Sequence, residues 1–230
     1  MLKAAIFDMD GAIIDSHPLH KRAWRAFLES VGREVNDQEL EFVLDGRRRD
    51  EILRFFLGDL DERQIRELGE QKNRFFYDLV ESVRLTAGIR VFLEELERQA
   101  VKLAVATSAS RSRTEYILDR FDLRRRFTIV VTGNDVPKSK PDPAIFSSTC
   151  AQLGEEASRT VVFEDAVSGV KGALQAGMKC VGIADEKYAP LLYQAGADHV
   201  CLDFTLLSAS IVHGLFATER FGAQGAIGTL

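Results

Sequence analysis

Asp8 and Asp10, with Gly11 behind them, close a short apolar run near the start of the chain, and Glu164-Asp165 close another far downstream. Thr107-Ser108 end a third run, and Lys140 lies in the loop Lys138-Ser139-Lys140-Pro141-Asp142-Pro143. If the carboxylates of Asp8, Asp10 and Asp165 meet at one point, their like charges raise one another's pKa or demand a cation. A divalent ion meets that demand, and an all-oxygen set open to a ligand favours Mg²⁺, which takes one or two carboxylates and keeps waters or a phosphate oxygen. Lys140 and the hydroxyl of Thr107 or Ser108 would then answer the remaining charge of a phosphate group. Together these residues make a coherent centre for phosphoryl transfer.

The elements that must position them follow a βαβ rhythm, in which short apolar runs end in polar residues or glycine and lead into helical patterns. Strands are expected at residues 4–7, 103–106, 128–131, 161–163 and 180–183, with a weaker sixth at 199–202. In a parallel sheet, ligands bind at the carboxyl ends of the strands, where these acids and hydroxyls fall. Between the first two runs the rhythm stops, and amphipathic helices are expected at 18–31, 37–44, 50–57 and 61–83. Core helices are expected at 89–98, 111–121, 143–153, 168–176 and 188–195. The fold class is therefore α/β, a doubly wound, Rossmann-like parallel-sheet core with an inserted α-helical cap. Residues 1–15 and 85–210 form the core, 16–84 the cap and 211–230 a C-terminal tail.

Composition excludes several classes. Thirty Lys and Arg against 35 Asp and Glu, a formal net charge of -5 in 230 residues, give no positive field for a nucleic acid. No run approaches the ~18 apolar residues of a membrane span, and the first residues turn acidic too soon for a signal peptide. The three cysteines, Cys150, Cys180 and Cys201, are too scattered for a metal or disulfide motif and read as reduced packing residues of a cytoplasmic protein.

The ordered quartet Asp8-Met9-Asp10-Gly11, Thr107-Ser108, Lys140-Pro141 and Glu164-Asp165 resembles the haloacid dehalogenase superfamily. The likeness extends through Gly133-Asn134-Asp135-Val136 and Ala176-Gly177-Met178, over roughly residues 1–200. It implies that Asp8 is a nucleophile forming an aspartyl-phosphate, and that Asp10 is the general acid and base whose backbone carbonyl faces the metal. It also implies that Asp165 and Asp8 hold Mg²⁺ with Glu164 behind them or as an alternative ligand, and that Thr107 and Lys140 bind phosphate with help from Ser108. The stretch Asp15-Ser16-His17-Pro18-Leu19-His20 followed by Ala23-Trp24 is similar to the branch containing β-phosphoglucomutase and small sugar-phosphate phosphatases. There, His20 and the Arg47–Arg49 run after Gly46, Arg47 and Arg49 above all, are the candidates for touching substrate.

Departures matter as well. Ala12 and Ala166 stand where the family commonly has hydroxyl or larger side chains, and Asp45 stands where β-phosphoglucomutase has a lysine. A mutase must hold a bisphosphorylated intermediate with basic partners, so Asp45 favours a phosphatase of a small phosphorylated metabolite. The alternatives are the mutase and a non-catalytic metabolite-binding protein, and a dehalogenase fits less well because it needs no Mg²⁺. A monomer or weak homo-oligomer is expected. Taken singly, several of these residues have plainer readings. His20 could be a packed cap histidine, His17 a helix cap, Arg47 to Arg49 a solvated face, and Trp24 and Phe27 cap core.

Overall fold

In the computed structural model, which describes residues 1–217, the chain begins with β1 (Ala4–Phe7) and crosses into the cap at β2 (Ile14–Asp15). The cap holds α1 (His17–Ser30), α2 (Asp37–Leu40), α3 (Arg49–Leu57) and α4 (Glu62–Leu79), and returns through β3 (Arg84–Leu85). The core then continues as α5 (Ile89–Arg98), β4 (Lys102–Thr107), α6 (Arg111–Arg120), β5 (Ile129–Thr132) and α7 (Ala144–Leu153). It ends with β6 (Thr160–Glu164), α8 (Val167–Gln175), β7 (Lys179–Ile183), α9 (Ala189–Gln194), β8 (His199–Cys201) and α10 (Ala209–Gly214).

The six-stranded sheet has the order β5-β4-β1-β6-β7-β8, with every neighbouring pair parallel. β1 is central because all four of its residues are apolar and buried, and only a strand covered on both faces reads that way. Alternation sends Ala5 and Phe7 to one face and Ala4 and Ile6 to the other. On the first face Phe7 stacks on Phe163 at 4.5 Å between ring centroids, with Phe92 edge-on to Phe163 at 5.3 Å. Such aromatic contacts add roughly 0.5–1.5 kcal/mol each beyond their buried area, and these stiffen the floor under Asp8. The second face packs on α7 and α8 through Phe146, Cys150, Val170 and Ala173.

Register now does the positioning. Phe7 lies opposite Val105 on β4 and Phe163 on β6, so Asp8, one step on, stands level with Ala106 and Glu164. The Asp8 N–H donates to the Phe163 carbonyl at 2.9 Å, which carries the ladder one residue past the strand. β1, β4 and β6 thus deliver their ends to one rim.

The cap has its own core, in which Trp24, Phe27, Leu40, Ile52 and Leu53 are buried together, as expected for Trp24 and Phe27. α4 starts where Asp61 and Gln64 cap each other's backbone N–H groups. The helix expected over 61–83 stops at Leu79, because a 3₁₀ turn at Val80–Ser82 leads the chain into β3. β2 and β3 pair antiparallel, Ile14 with Leu85, and form the two-stranded hinge under the cap. At the other end, the tail expected from residue 211 begins inside α10, which buries Ala209 and Val212 on the core; residues 218–230 lie outside the described residues.

Candidate active site

Asp8 is 6% exposed at the bottom of a cleft of about 420 Å³ between core and cap. Its Oδ1 accepts from Lys140 Nζ at 2.6 Å. Burial, reinforced by the charges of Glu164 and Asp10 and opposed by Lys140, pushes the Asp8 carboxyl up to about 7. Lys140, 1% exposed, donates to Glu164 as well and lies over the Phe146 ring at 5.1 Å. Burial works against its charge, yet the two carboxylates outweigh burial and hold the ammonium above its ordinary range.

Glu164 has a different place from the one expected of a metal ligand. It is fully buried and accepts from Lys140 and from the N–H groups of Asp165 and Ala166 at 3.1 and 3.2 Å. Its carboxylate occupies the space where a side chain on Gly169 would stand, since a Cβ there would come within 2.0 Å of it. Glu164 therefore anchors Lys140 from beneath and does not line the cleft. Asp165, one residue on, does line it, and its Oδ2 is 2.5 Å from His17 Nε2. Burial opposes protonation of His17, but Asp165 outweighs it and raises His17 to about 9, so this histidine is a cation at neutral pH. His17 thus reaches across the cleft instead of capping its helix.

Asp10 sits on the turn after β1, where Gly11 takes φ +78; a Cβ there would meet Asp165 Oδ2 at 2.3 Å, so glycine alone lets the two acids approach. Asp10 Oδ1 accepts from Ser16 Oγ at 2.8 Å and lies 2.9 Å from His20 Nε2, and Arg113 donates to both of its oxygens at 2.9 and 2.5 Å. Burial favours protonation, but Arg113 and His20 prevail and hold the Asp10 carboxyl well below its ordinary value. His20 itself is pushed down to about 4 by burial, against the pull of Asp10.

Thr107 is buried at the end of β4, lines the cleft, and its Oγ1 accepts from the Ala109 N–H at 3.2 Å. The Ser108 hydroxyl, expected at a phosphate, instead donates to the Gly46 carbonyl at 2.6 Å. Ser168 donates to the Asp45 carbonyl in the same way, so two core hydroxyls hold the loop after the second cap helix.

The three cap arginines all line the cleft but differ in tether. Arg47 pairs with Asp45 at 3.0 Å and lies over the Phe42 ring at 4.5 Å, while its buried Nε has no hydrogen-bond partner among the described residues. Arg48 donates to the Val136 and Pro137 carbonyls of the core, both at 3.3 Å. Arg49 donates to the Gly69 carbonyl at 3.2 Å, an approach that requires glycine, since a Cβ at position 69 would lie 2.5 Å from the guanidinium carbon. Lys138 is exposed and pairs with Asp142 at 3.6 Å.

Sequence reading missed Arg113 and Lys72. Lys72, 3% exposed, lies 5.0 Å from the Trp24 ring centroid and 5.2 Å from that of Phe76, and makes no hydrogen bond or ion pair among the described residues. Burial, with Arg113 and Arg49 nearby, lowers its pKa well below the usual lysine range. Among the described residues no three His, Cys, Asp or Glu side chains form a ready metal cluster, and no helix is long and apolar enough to cross a membrane.

The sequence matches the haloacid dehalogenase-like hydrolase family over residues 5–183. A phosphorylated carbohydrates phosphatase of Thermotoga maritima is 33% identical over 77% of this chain and 83% of its own length. The β-phosphoglucomutase of Bacillus subtilis is 31% identical over 92% of this chain and 94% of its own. In structure, the β-phosphoglucomutase of Clostridium difficile superposes with a TM-score of 0.82 over 94% of this chain and 97% of that one, at 23% identity, a likeness of fold. With the parallel core, the helical cap and the cleft between them, this chain belongs to the haloacid dehalogenase-like hydrolases.

Proposed function

We propose that this chain is a Mg²⁺-dependent phosphatase of a small, sugar-like phosphomonoester, working through an aspartyl-phosphate on Asp8. The observation that carries the reading is the buried Asp8–Lys140–Glu164 row, which presents Asp8 to the cleft with Asp10 also on its lining. An Asp8 oxygen attacks phosphorus as the bond to the sugar oxygen breaks, and Asp10, which Arg113 holds ionised in the free protein, first takes a proton from solvent and delivers it to the leaving oxygen. Asp10 then takes a proton from water, which attacks the phosphoryl group and frees Asp8. Lys140 and Thr107 bear on the phosphate oxygens, and closing the cap over the substrate would exclude bulk water. Of the relatives, the Thermotoga protein's name, a phosphatase of phosphorylated carbohydrates, supports the substrate class.

Mg²⁺ fits this donor set. Asp8 and Asp165 are buried carboxylates whose ionisation is opposed by burial, by the charges of Glu164 and Asp10 on Asp8 and by the charge of Asp8 on Asp165. Asp8 and Asp165 would hold the ion, with Glu164 set apart by its bond to Lys140; when bound, the ion neutralises the phosphate's charge. Treatment with a chelator is expected to lower phosphate release about 100-fold or more, because a catalytic metal contributes several kcal/mol, and added Mg²⁺ is expected to restore it. Undiminished release in excess chelator contradicts the metal assignment.

Arg49 reads the sugar part in this account, and the close approach at Gly69 tests it. Gly69→Ala gains up to ~1 kcal/mol of helix propensity but displaces Arg49. The expected result is an unchanged or raised melting temperature with KM raised roughly tenfold, the worth of ~1.4 kcal/mol of binding. An unchanged KM removes Arg49 from the substrate's surroundings.

The second reading, a phosphomutase, is favoured by the length of the match to the Bacillus enzyme. Against it stands Asp45, an acid paired with Arg47 where β-phosphoglucomutase has a lysine. Phosphate release from hexose phosphates, with and without a bisphosphate primer, separates the two. The three free cysteines agree with a cytoplasmic setting.

A further inference from the structure

Arg113 is carried by the core on α6, yet it touches the loop that bears Asp10 and two residues of the cap. Its side chain is 9% exposed and forks onto Asp10, Nη1 to Oδ1 at 2.9 Å and Nη2 to Oδ2 at 2.5 Å. The guanidinium lies over the Phe76 ring of α4 at 5.0 Å, and Nη1 is 3.0 Å from His20 Nε2 on α1. Asp10's other partners, Ser16 and His20, belong to the hinge and the cap. Its Oδ2 accepts from Arg113 alone among the described residues, and Arg113 pairs with no other carboxylate there.

These contacts divide the work. A single donor leaves a carboxylate free to rotate about its last bond, whereas a planar fork onto both oxygens fixes its plane. Ser16 and His20 cannot supply that fork, because both address Oδ1. The Arg113 guanidinium is itself flanked by His20 and the Phe76 face only while the cap lies on the core. Lys72 and Arg49 nearby are themselves basic residues and offer it no alternative partner.

We propose that Arg113 is a positioning residue that sets the plane of the Asp10 carboxylate for proton transfer and, through His20 and Phe76, couples that setting to cap closure. The proposal rests on the phosphatase reading for its kinetic consequence but not for its geometry.

The test uses the full chain with Mg²⁺ and a phosphomonoester that the wild type hydrolyses, in Arg113→Met, which keeps the apolar stem, Arg113→Lys and Arg113→Ala. Arg113→Met is expected to lower kcat about 100-fold, the cost of misplacing a reacting group by ~1 Å, with KM little changed. Arg113→Lys is expected to recover only part of that loss, because it restores charge without the fork. Millimolar guanidinium chloride is expected to raise kcat of Arg113→Ala and not of the wild type, a rescue that a packing role would not produce. A crystal structure of Arg113→Met is expected to show the Asp10 carboxylate rotated from its wild-type plane. An unchanged kcat, a loss confined to KM, or an unmoved Asp10 overturns the proposal. If the wild type hydrolyses no phosphomonoester, the phosphatase reading fails, and the Asp10 orientation in the crystal still decides the role of Arg113. If Arg113→Met does not fold, the guanidinium arm and Arg113→Lys decide it.

Discussion

Asp8→Asn is expected to lower kcat by roughly 10⁴-fold or more, the scale of nucleophile deletions in enzymes that act through a covalent intermediate. The fold is expected to tolerate the change and, without metal, to gain from it. The Asp8 carboxyl is raised from 3.8 to about 7, mainly by burial. A carboxyl whose folded pKa lies above its unfolded value binds its proton more tightly when folded. The native state therefore loses stability relative to the unfolded chain as pH climbs from about 4 through 7. Asparagine cannot ionise, so the variant escapes that loss. In chelator, its melting temperature is expected to exceed the wild type's above pH 7 and to converge with it near pH 4. Turnover that survives the substitution would remove Asp8 from the chemistry, and a variant that melts lower above pH 7 would contradict the electrostatic description of the floor.

Lys140→Met is expected to damage both stability and activity. Methionine preserves length and apolar volume, so the change removes little besides charge. Lys140 is the only cation in hydrogen-bond contact with the fully buried Glu164 among the described residues, and it also holds Asp8. Breaking a buried ion pair from one side costs about 3–5 kcal/mol, because the remaining charge is left uncompensated. For a chain of this size that is a fall of roughly 6–20 °C in melting temperature. The loss is expected to shrink as pH falls, since Glu164, already raised by burial, takes up a proton and sheds its charge. Adding Glu164→Gln to Lys140→Met is expected to restore much of the stability and none of the turnover. A melting temperature unchanged by Lys140→Met would show that the buried row does not hold the floor together.

The fold was legible because the apolar runs are short, recur with helical stretches between them, and end in acids or hydroxyls. In a parallel sheet that pattern places Asp8, Thr107 and Asp165 on one rim, and the register confirms their neighbourhood. The sequence left the face of each strand-end side chain unresolved. Glu164 follows the alternation of β6 beyond Val162, onto the face packed by α7 and α8, where Lys140 and the bare Gly169 receive it. Adjacent acids in a sequence thus divide between support and cleft. Ser108 lines the cleft as well, but its hydrogen-bond partner, the Gly46 carbonyl, lies 62 residues away across the cap boundary, where no local pattern shows it. Arg113 left no local trace, because Arg111-Ser112-Arg113 at a helix start resembles a solvated turn. Only the closure of cap on core, 103 residues from Asp10 in sequence, turns its guanidinium inward. Lys72 was hidden by its place in α4, a helix otherwise rich in exposed charge.

The most direct test of the account is rapid-quench mass spectrometry of the protein mixed with Mg²⁺ and a sugar phosphate that it hydrolyses. The account predicts a phosphoryl adduct on the peptide containing Asp8 during the first turnover, decaying as free phosphate appears and absent in Asp8→Asn. Phosphate release at the full rate with no adduct, or an adduct on another peptide, would contradict it.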